Sequence, residues 1–146
     1  MPFEQGPYLK TAVFCEHMLR EADGVPSLIR IIDRITHTRT GPDAPAEMPP
    51  VSHNLTAFIS LTSGEACGSH EVSIELEEPS GLRKPSMTGT VLFEGEDKGV
   101  NLVLNIAAIF EYQGLYWFSV YLDDKLLTKM PLRVIYSRVT HGTPKA

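Results

Sequence analysis

The sequence predicts an all-β fold, an antiparallel β-sandwich of about eight strands. Apolar residues recur at every second position in several segments, and turn residues separate these segments at spacings typical of strands. Helical periodicity is hard to find, so folds that alternate strands and helices are excluded. The 146 residues fit one domain, which we place at residues 9–138 between an N-terminal tail, 1–8, and a flexible C-terminal tail, 139–146.

The middle of the chain shows the alternation most clearly. In HEVSIELE (70–77), Val72, Ile74 and Leu76 alternate with polar residues, so one face is buried and the other is exposed. HNLTAFISLT (53–62) has its odd positions inward, which leaves Phe58 on the outward side. VNLVLNIAAIF, SMTGTVLFEG, LYWFSVYLD and KLLTKMPLRVIYS predict four more strands, and the last two form a hairpin around Asp123 and Asp124.

The N-terminal part predicts a hairpin followed by a long loop. TAVFCEHML and SLIRIIDRI are β-rich, and the turn between them contains Gly24 and Pro26. A helix over 12–22 is the alternative. Residues 37–52 contain four prolines and no periodic pattern, so we expect a functional loop or a crossover between sheets.

The segment YQGLYWF (112–118) indicates which kind of sandwich this is. In immunoglobulin-like domains a tyrosine near the start of strand F sends its hydroxyl back to the backbone, two residues before a cysteine. Gly114 allows the tight corner, Tyr116 is the corner tyrosine, and Phe118 replaces the cysteine. We therefore predict an immunoglobulin-like sandwich in which an aromatic side chain replaces the disulfide.

The chain resembles an uncharacterised bacterial family of short stand-alone β-sandwich proteins. The resemblance lies in AVFCEHMLREADGVPSLIRIIDRI, in the proline-bearing loop, and in GLYWFSVYLDDKLLTKMPLRV, and it covers most of residues 9–136. It implies the fold and a bacterial source. It implies no activity and no catalytic residues.

Composition narrows the classes of partner and compartment. The formal charge of −5 argues against a nucleic-acid partner, because such proteins usually carry a basic stripe. We expect no membrane partner, since no secretion signal and no long apolar stretch occur. We expect a cytoplasmic protein in which Cys15, in the core, and Cys67, in a loop, are free thiols.

No catalytic or metal-binding motif stands out. The usual nucleophile, phosphate-binding and zinc motifs are missing, and Ser63, Cys67 and His70 are close only because a loop gathers polar residues. His37 and His53 flank the proline-bearing loop, but their spacing does not favour a metal site. We predict no catalytic residue, no metal and no cofactor.

Aromatic residues supply the first candidate binding surface. Trp117 and Tyr121 lie on the face of their strand that points away from Tyr116 and Phe118, and Trp and Tyr are enriched in interfaces. We name Trp117, Tyr121 and Phe58 as candidate partner-binding residues. The alternative is that the N-terminal hairpin or the proline-bearing loop covers the aromatic pair.

Charge supplies the second candidate surface. If strands simply alternate in direction, the turns at 20–26, 63–69, 94–99 and 123–125 share one end. That end would collect acidic residues, with Glu94, Glu96, Asp97, Asp123 and Asp124 as a candidate site for Ca²⁺ or a partner, joined by Glu21, Asp23 and Glu65. The opposite end would collect both termini and the basic residues Arg39, Arg83, Lys84, Arg138 and Lys145.

These observations favour a non-catalytic cytoplasmic module that binds another protein. A small enzyme or ligand-binding domain is one alternative. A structural subunit that forms homo-oligomers through its acidic and basic ends is the other.

Overall fold

The computed structural model describes residues 4–96 and 98–140, which form two sheets packed face to face. The strand orders are β2-β1-β4-β7 and β3-β9-β8-β5-β6, and every pair is antiparallel except β3 with β9. The nine strands of the described residues are β1 Tyr8–Arg20, β2 Pro26–Ile32, β3 Arg34–Thr40, β4 Val51–Thr62, β5 Gly68–Glu77, β6 Arg83–Phe93, β7 Gly99–Phe110, β8 Gly114–Leu122 and β9 Lys125–Val139. The predicted β-sandwich is confirmed, and the alternative of a helix over 12–22 is wrong.

The core lies between the sheets and follows the predicted alternation. On β8, Tyr116, Phe118 and Val120 are essentially inaccessible to solvent, and the ring of Phe14 from the other sheet meets Phe118 edge-on at 4.9 Å. Full burial of each large apolar side chain contributes about 1.5–3 kcal/mol. Phe118, which replaces the cysteine of the immunoglobulin pattern, is thus a central core residue. No helix within the described ranges is long and apolar enough to cross a membrane.

Strand β3 is the element that the sequence pattern does not predict. Its sequence, RITHTRT, places only Ile35 among the fully buried residues of the core. The chain changes sheets at Asp33, whose carbonyl oxygen accepts a hydrogen bond from the Arg133 N–H at 3.0 Å. β3 continues to Thr40 and β4 begins at Val51. The loop that the sequence predicts at 37–52 therefore spans only residues 41–50.

Residues 41–50 close one end of the sandwich, which we call the loop end. Ala44 and Met48 are buried. The Tyr136 hydroxyl donates to the Pro45 carbonyl oxygen at 2.7 Å, and Arg138 Nε donates to the Ala44 carbonyl oxygen at 3.0 Å. These contacts make the loop part of the packed structure.

Because of strand β3, the charged turns are divided between the two ends of the sandwich differently from the prediction. Because this strand adds one reversal of direction, the turn at 21–25 lies at the loop end, so Glu21 and Asp23 do not join the other acidic turns. The turns at 63–67 and 123–124 lie at the opposite end, which we call the turn end. Residues 5–7 also lie there, since the Glu65 N–H donates to the Gln5 carbonyl oxygen at 2.8 Å. The prediction that both termini share the basic end is therefore wrong for the N-terminal segment, and Asp97, Lys145 and most of the predicted C-terminal tail fall outside the described residues.

The tyrosine corner is present. The Tyr116 hydroxyl donates to the Tyr112 carbonyl oxygen at 2.5 Å and accepts from the Tyr112 N–H at 3.2 Å. Gly114 has a φ of 139°, and a Cβ there would lie 2.7 Å from a ring carbon of Pro79. Burial raises the pKa of the Tyr116 hydroxyl, which keeps it protonated as a donor.

Tyr116→Phe should lower the free energy of unfolding by about 0.5–1.5 kcal/mol, because it removes the donor while keeping the buried ring. Urea denaturation measures this loss. Tyr112→Phe is the matched control, since Tyr112 is 56% exposed and the substitution leaves in place the backbone groups that bond to Tyr116. An unchanged urea midpoint for Tyr116→Phe would contradict the structural role of the corner.

The two thiols should differ sharply in reactivity. Cys15 is fully buried on β1, and burial raises the pKa of its thiol, whereas Cys67 is exposed in the turn before β5. We expect one thiol per chain to react quickly with a thiol reagent in the native protein and the second only after unfolding. Cys67→Ser should remove the fast phase and leave the slow one. A disulfide between the two cysteines in the purified protein would contradict this arrangement.

Candidate functional site

His70 joins three segments at the turn end. Its Nδ1 donates to Asp123 Oδ2 at 2.5 Å, and its Nε2 donates to the Cys67 carbonyl oxygen at 3.0 Å. The other carboxylate oxygen of Asp123 accepts from the Glu71 N–H at 2.9 Å. The ring of His70 also packs edge-on against Phe93. One side chain thus links the turn before β5, the start of β5 and the β8–β9 turn.

The backbone of the β8–β9 turn places the carboxylate of Asp123. Asp123 and Asp124 have φ values of 49° and 65°, the combination that two-residue hairpin turns require and that aspartate tolerates. The Asp123 N–H donates to the Glu71 carbonyl oxygen at 2.8 Å. The predicted hairpin around Asp123 and Asp124 is confirmed.

The hydrogen bonds determine the charge state of the pair. Both ring nitrogens of His70 face acceptors, so the doubly protonated imidazolium is favoured. The hydrogen bond that His70 donates to Asp123 is the main reason that the pKa of His70 is raised, although partial burial opposes it. The same hydrogen bond, followed by the one from the Glu71 N–H, lowers the pKa of Asp123. Between the ordinary pKa values of the two groups, 3.8 for Asp123 and 6.5 for His70, the pair is therefore an ion pair.

An open cleft of about 310 Å³ lies beside this pair. Its lining combines Lys125 and His70 with two carboxylates and with residues of the N-terminal segment: Gln5, Gly6, Pro7, Glu65, Ala66, His70, Leu122, Asp123 and Lys125. Neither ring nitrogen of His70 is free to accept a proton from a molecule in the cleft. Ser63 is also engaged, because its hydroxyl donates to the Lys98 carbonyl oxygen at 2.6 Å. The geometry is that of a clamp that holds the turns together.

The acidic residues of the turn end do not converge on a cation. Glu94 pairs with Lys98 at 3.6 Å, and Asp123 is engaged by His70. Within residues 4–96 and 98–140, no group of three or more His, Cys, Asp and Glu side chains could hold a metal ion. The predicted Ca²⁺ site among Glu94, Glu96, Asp123 and Asp124 therefore gains no support, and its fifth member, Asp97, lies outside these residues. His37 instead stacks on Tyr136, with ring centroids 6.2 Å apart.

The second candidate site is the outer surface of the five-stranded sheet. Trp117 pairs in register with Pro131 of β9 and Glu77 of β5, and it is partly exposed. Tyr121, also partly exposed, pairs with Leu126 and Ser73. We define the aromatic face as the outward side chains of β5, β8 and β9 around this pair, namely Ser73, Glu75, Glu77, Trp117, Ser119, Tyr121, Leu126, Lys129, Pro131 and Arg133.

No described strand packs across the aromatic face. The N-terminal hairpin belongs to the other sheet, and the hydrogen bonds of the 41–50 loop go to Tyr136 and Arg138 at the loop end. The alternative that one of these segments covers Trp117 and Tyr121 is wrong for the described residues. Pro131 is compatible with this position, because β9 has no partner on its other side before Arg133 and a missing N–H is tolerated there.

Phe58 does not belong to the aromatic face. It lies on β4 in the four-stranded sheet, between Val13 of β1 and Val103 of β7, and only 6% of its surface is exposed. The alternation places it outward correctly, but the two neighbouring strands bury it. Grouping it with Trp117 and Tyr121 was wrong, because period-2 patterns assign a face within one sheet and do not say which sheet a strand joins.

Sequence reasoning missed the pairing of His70 with Asp123. The two residues are 53 positions apart, and neither belongs to a recognisable motif. Their contact depends on the register of β5 with β8, in which Val72 lies opposite Leu122. That register is a tertiary property, so the only local signal was that both residues flank a strand end.

Comparison with protein families identifies the chain. The model of a family described as "Family of unknown function (DUF6941)" matches residues 10–135. The chain belongs to this family. The DUF6941 description assigns no activity, and no curated protein matches the sequence. The resemblance to an uncharacterised family is therefore confirmed.

Several solved structures are weakly similar to the chain. A β-glucosidase from Listeria innocua in complex with isofagomine has a TM-score of 0.49 at 7% identity, over 90% of this chain and 17% of that chain. β-Glucosidase 3B from Thermotoga neapolitana in complex with glucose has a TM-score of 0.42 at 15% identity, over 56% and 14%. The alkylpurine DNA glycosylase AlkC from Pseudomonas fluorescens, bound to DNA containing an abasic site analog, has a TM-score of 0.40 at 8% identity, over 85% and 30%. This DUF6941 chain thus spans less than a third of each, and likeness at this level carries no argument about activity.

The contribution of the clamp to stability should depend on pH. Since the pKa of His70 is raised, its contribution is fully present below the ordinary value of 6.5 and is lost as the pH rises through the folded value. Since the pKa of Asp123 is lowered, its contribution is present above the ordinary value of 3.8 and is lost as the pH falls through the folded value. The pair should therefore stabilise the fold most between these two ordinary values.

We expect the difference in unfolding free energy between wild type and His70→Gln to be largest in that window and to shrink above it. Urea denaturation at a series of pH values measures it. His17→Gln, at an exposed histidine outside the clamp, is the control. A difference that stays constant across the range would show that the ion pair does not form in solution.

Proposed function

We propose that this DUF6941 protein is a non-catalytic cytoplasmic module that binds another protein through its aromatic face. The observation that carries the proposal is the pair Trp117 and Tyr121, two large aromatic side chains on the outward side of the central strand β8, with no described strand packed over them. Contiguous exposed aromatic residues are uncommon on a free surface.

The surroundings of the aromatic pair fit an interface. Ser119 lies between the two rings and is only 4% exposed, so the rings are held close to the sheet and lose little conformational entropy on binding. Pro131 and Leu126 extend the apolar area, and Glu75 and Lys129 form a charged rim. An apolar centre inside a polar rim is the usual anatomy of a protein interface.

Three observations support a non-catalytic role, a partner other than nucleic acid and a reducing compartment. The ring nitrogens of His70 are both occupied by structural hydrogen bonds, so the cleft at the turn end lacks a free imidazole base. The net charge of −5 opposes binding to phosphate backbones. Both cysteines are unpaired, which fits a reducing compartment. We propose no cofactor and no membrane partner.

The structural alternative, assembly through charged ends, has less support. The loop end holds the basic residues Arg83 and Arg138 but also the acidic residues Glu21 and Glu78. Glu78 is buried against Lys84 at 2.8 Å, so part of the predicted basic end is neutralised within the chain. An enzyme of a kind that needs no histidine base is the other alternative.

Trp117→Ala should weaken association with the partner by about 2 kcal/mol or more, as expected of a hot-spot residue. Its loss of folding stability should be smaller than that of Phe118→Ala, the inward neighbour, for which about 3–5 kcal/mol is expected. Binding is measured with purified partner, identified by crosslinking in the native host, and stability is measured by urea denaturation.

Ile109→Ala is the matched surface control, because Ile109 is 64% exposed on the outer side of the four-stranded sheet. It should leave binding unchanged. Trp117 is the sole tryptophan, so quenching of its fluorescence by acrylamide should decrease when the partner is bound. Unchanged quenching and unchanged affinity of Trp117→Ala would remove the aromatic face as the binding surface.

A further inference from the structure

We infer that the protein partner that fits the aromatic face is a second copy of this chain, which packs sheet against sheet around a two-fold axis parallel to β8. This inference rests on the proposed function, because it names the partner of the same surface. It is carried by the arrangement of charge on either side of Trp117 and Tyr121.

Charge on the aromatic face is divided by strand. The outward positions of β5, on one side of β8, carry Glu71, Glu75 and Glu77. The outward positions of β9, on the other side, carry Lys129 and Arg133. The apolar row of Trp117 and Tyr121 separates the acidic strand from the basic strand.

The register aligns opposite charges at one level of the sheet. Ser119 pairs with Glu75 on one side and with Lys129 on the other, so the two charges lie at the same level on the strands that flank β8. Strands lie about 4.8 Å apart, which separates the two charged positions by about 10 Å. Among the described residues Glu75 pairs only with Arg83, so the two charges do not pair with each other within one chain.

A two-fold axis along β8 makes this pattern self-complementary. It exchanges the β5 side with the β9 side and preserves the level along the strand. Glu75 then lies over Lys129 of the partner subunit, and the same contact occurs a second time by symmetry. The apolar row of Trp117 and Tyr121 meets its own copy. An axis across the strands would instead place the acidic strand over its own copy, which like-charge repulsion disfavours.

The charged residues are available for such contacts. Among the described residues, Lys129 and Arg133 have no ion-pair partner, and Glu75 and Glu77 have only Arg83, at 3.9 Å from each. The outer surface of the whole five-stranded sheet, of which the aromatic face is the central part, has a suitable size. Five strands about 4.8 Å apart and nine residues at about 3.4 Å each give roughly 700 Å², close to the roughly 800 Å² that each subunit buries in a standard interface.

Association through the free edge of β2 fits the structure less well. The free edge of β2 is apolar, with Ile31 61% exposed, but it begins at Pro26 and is interrupted at Arg30, which has a φ of 57°. Proline and local irregularity are the usual devices that block strand addition at an edge. Face-to-face packing uses a surface without such a block.

Charge reversal with full-length protein tests the inference. Wild type should form a dimer that sedimentation equilibrium detects and that higher salt weakens. Glu75→Lys and Lys129→Glu should each raise the dimer Kd about tenfold or more, because each replaces two attractive contacts by two repulsive ones. A 1:1 mixture of the two variants should restore the dimer. In the mixed dimer, the lysine introduced at position 75 of one chain faces the glutamate introduced at position 129 of the other. Glu47→Lys and Lys10→Glu, exposed positions outside the face, are the matched controls.

Each outcome is decisive. Loss of the dimer in both variants with recovery in the mixture, at unchanged thermal unfolding, supports the two-fold arrangement. A monomeric wild type at high micromolar concentration, or a dimer that both variants leave intact, overturns it. If wild type is monomeric while Trp117→Ala still abolishes binding to a different protein, the proposed function stands and this inference fails. If neither self-association nor any other binding depends on Trp117, both fail.

Discussion

The alternation of side chains along β8 is the constraint on which most of this structure depends. β8 lies between β5 and β9 in the five-stranded sheet, so both of its backbone edges are used and only its two faces remain. One face supplies Tyr116, Phe118 and Val120 to the core, and the other presents Trp117 and Tyr121. A shift of register by one residue would exchange the two sets, so packing of the core also fixes the outward aromatic pair.

Much of the fold could be predicted because its signals are local. Period-2 alternation gave the faces of β4, β5, β7 and β8, and Gly114 with Tyr116 gave the corner between β7 and β8. The predictions that failed concern features that depend on tertiary contacts. β3 has little apolar pattern because it is an edge strand with one core residue, Ile35, and its pairing with β9 is parallel and distant in sequence. Because β3 was not predicted, Glu21 and Asp23 were assigned to the wrong end of the sandwich.

The candidate site likewise has local features, which were predictable, and tertiary features, which were not. The outward position of Trp117 and Tyr121 follows from alternation and was predictable. Phe58 was misplaced because alternation does not reveal that Val13 and Val103 flank it in the other sheet. The ion pair of His70 and Asp123 requires the register of β5 against β8, which no single segment encodes.

The close approach of Gly114 to Pro79 links two turns of the loop end that are 35 positions apart in the sequence. A Cβ at position 114 would lie 2.7 Å from the Pro79 ring, and a φ of 139° strains any side chain, so a larger residue at 114 requires both a changed local backbone and loss of the ring at position 79. Among members of the DUF6941 family the two positions should therefore change together. In an alignment of the family, joint variation at positions 79 and 114 would identify this corner even in sequences that lack a tyrosine at position 116. The strands on either side of the corner could then be aligned.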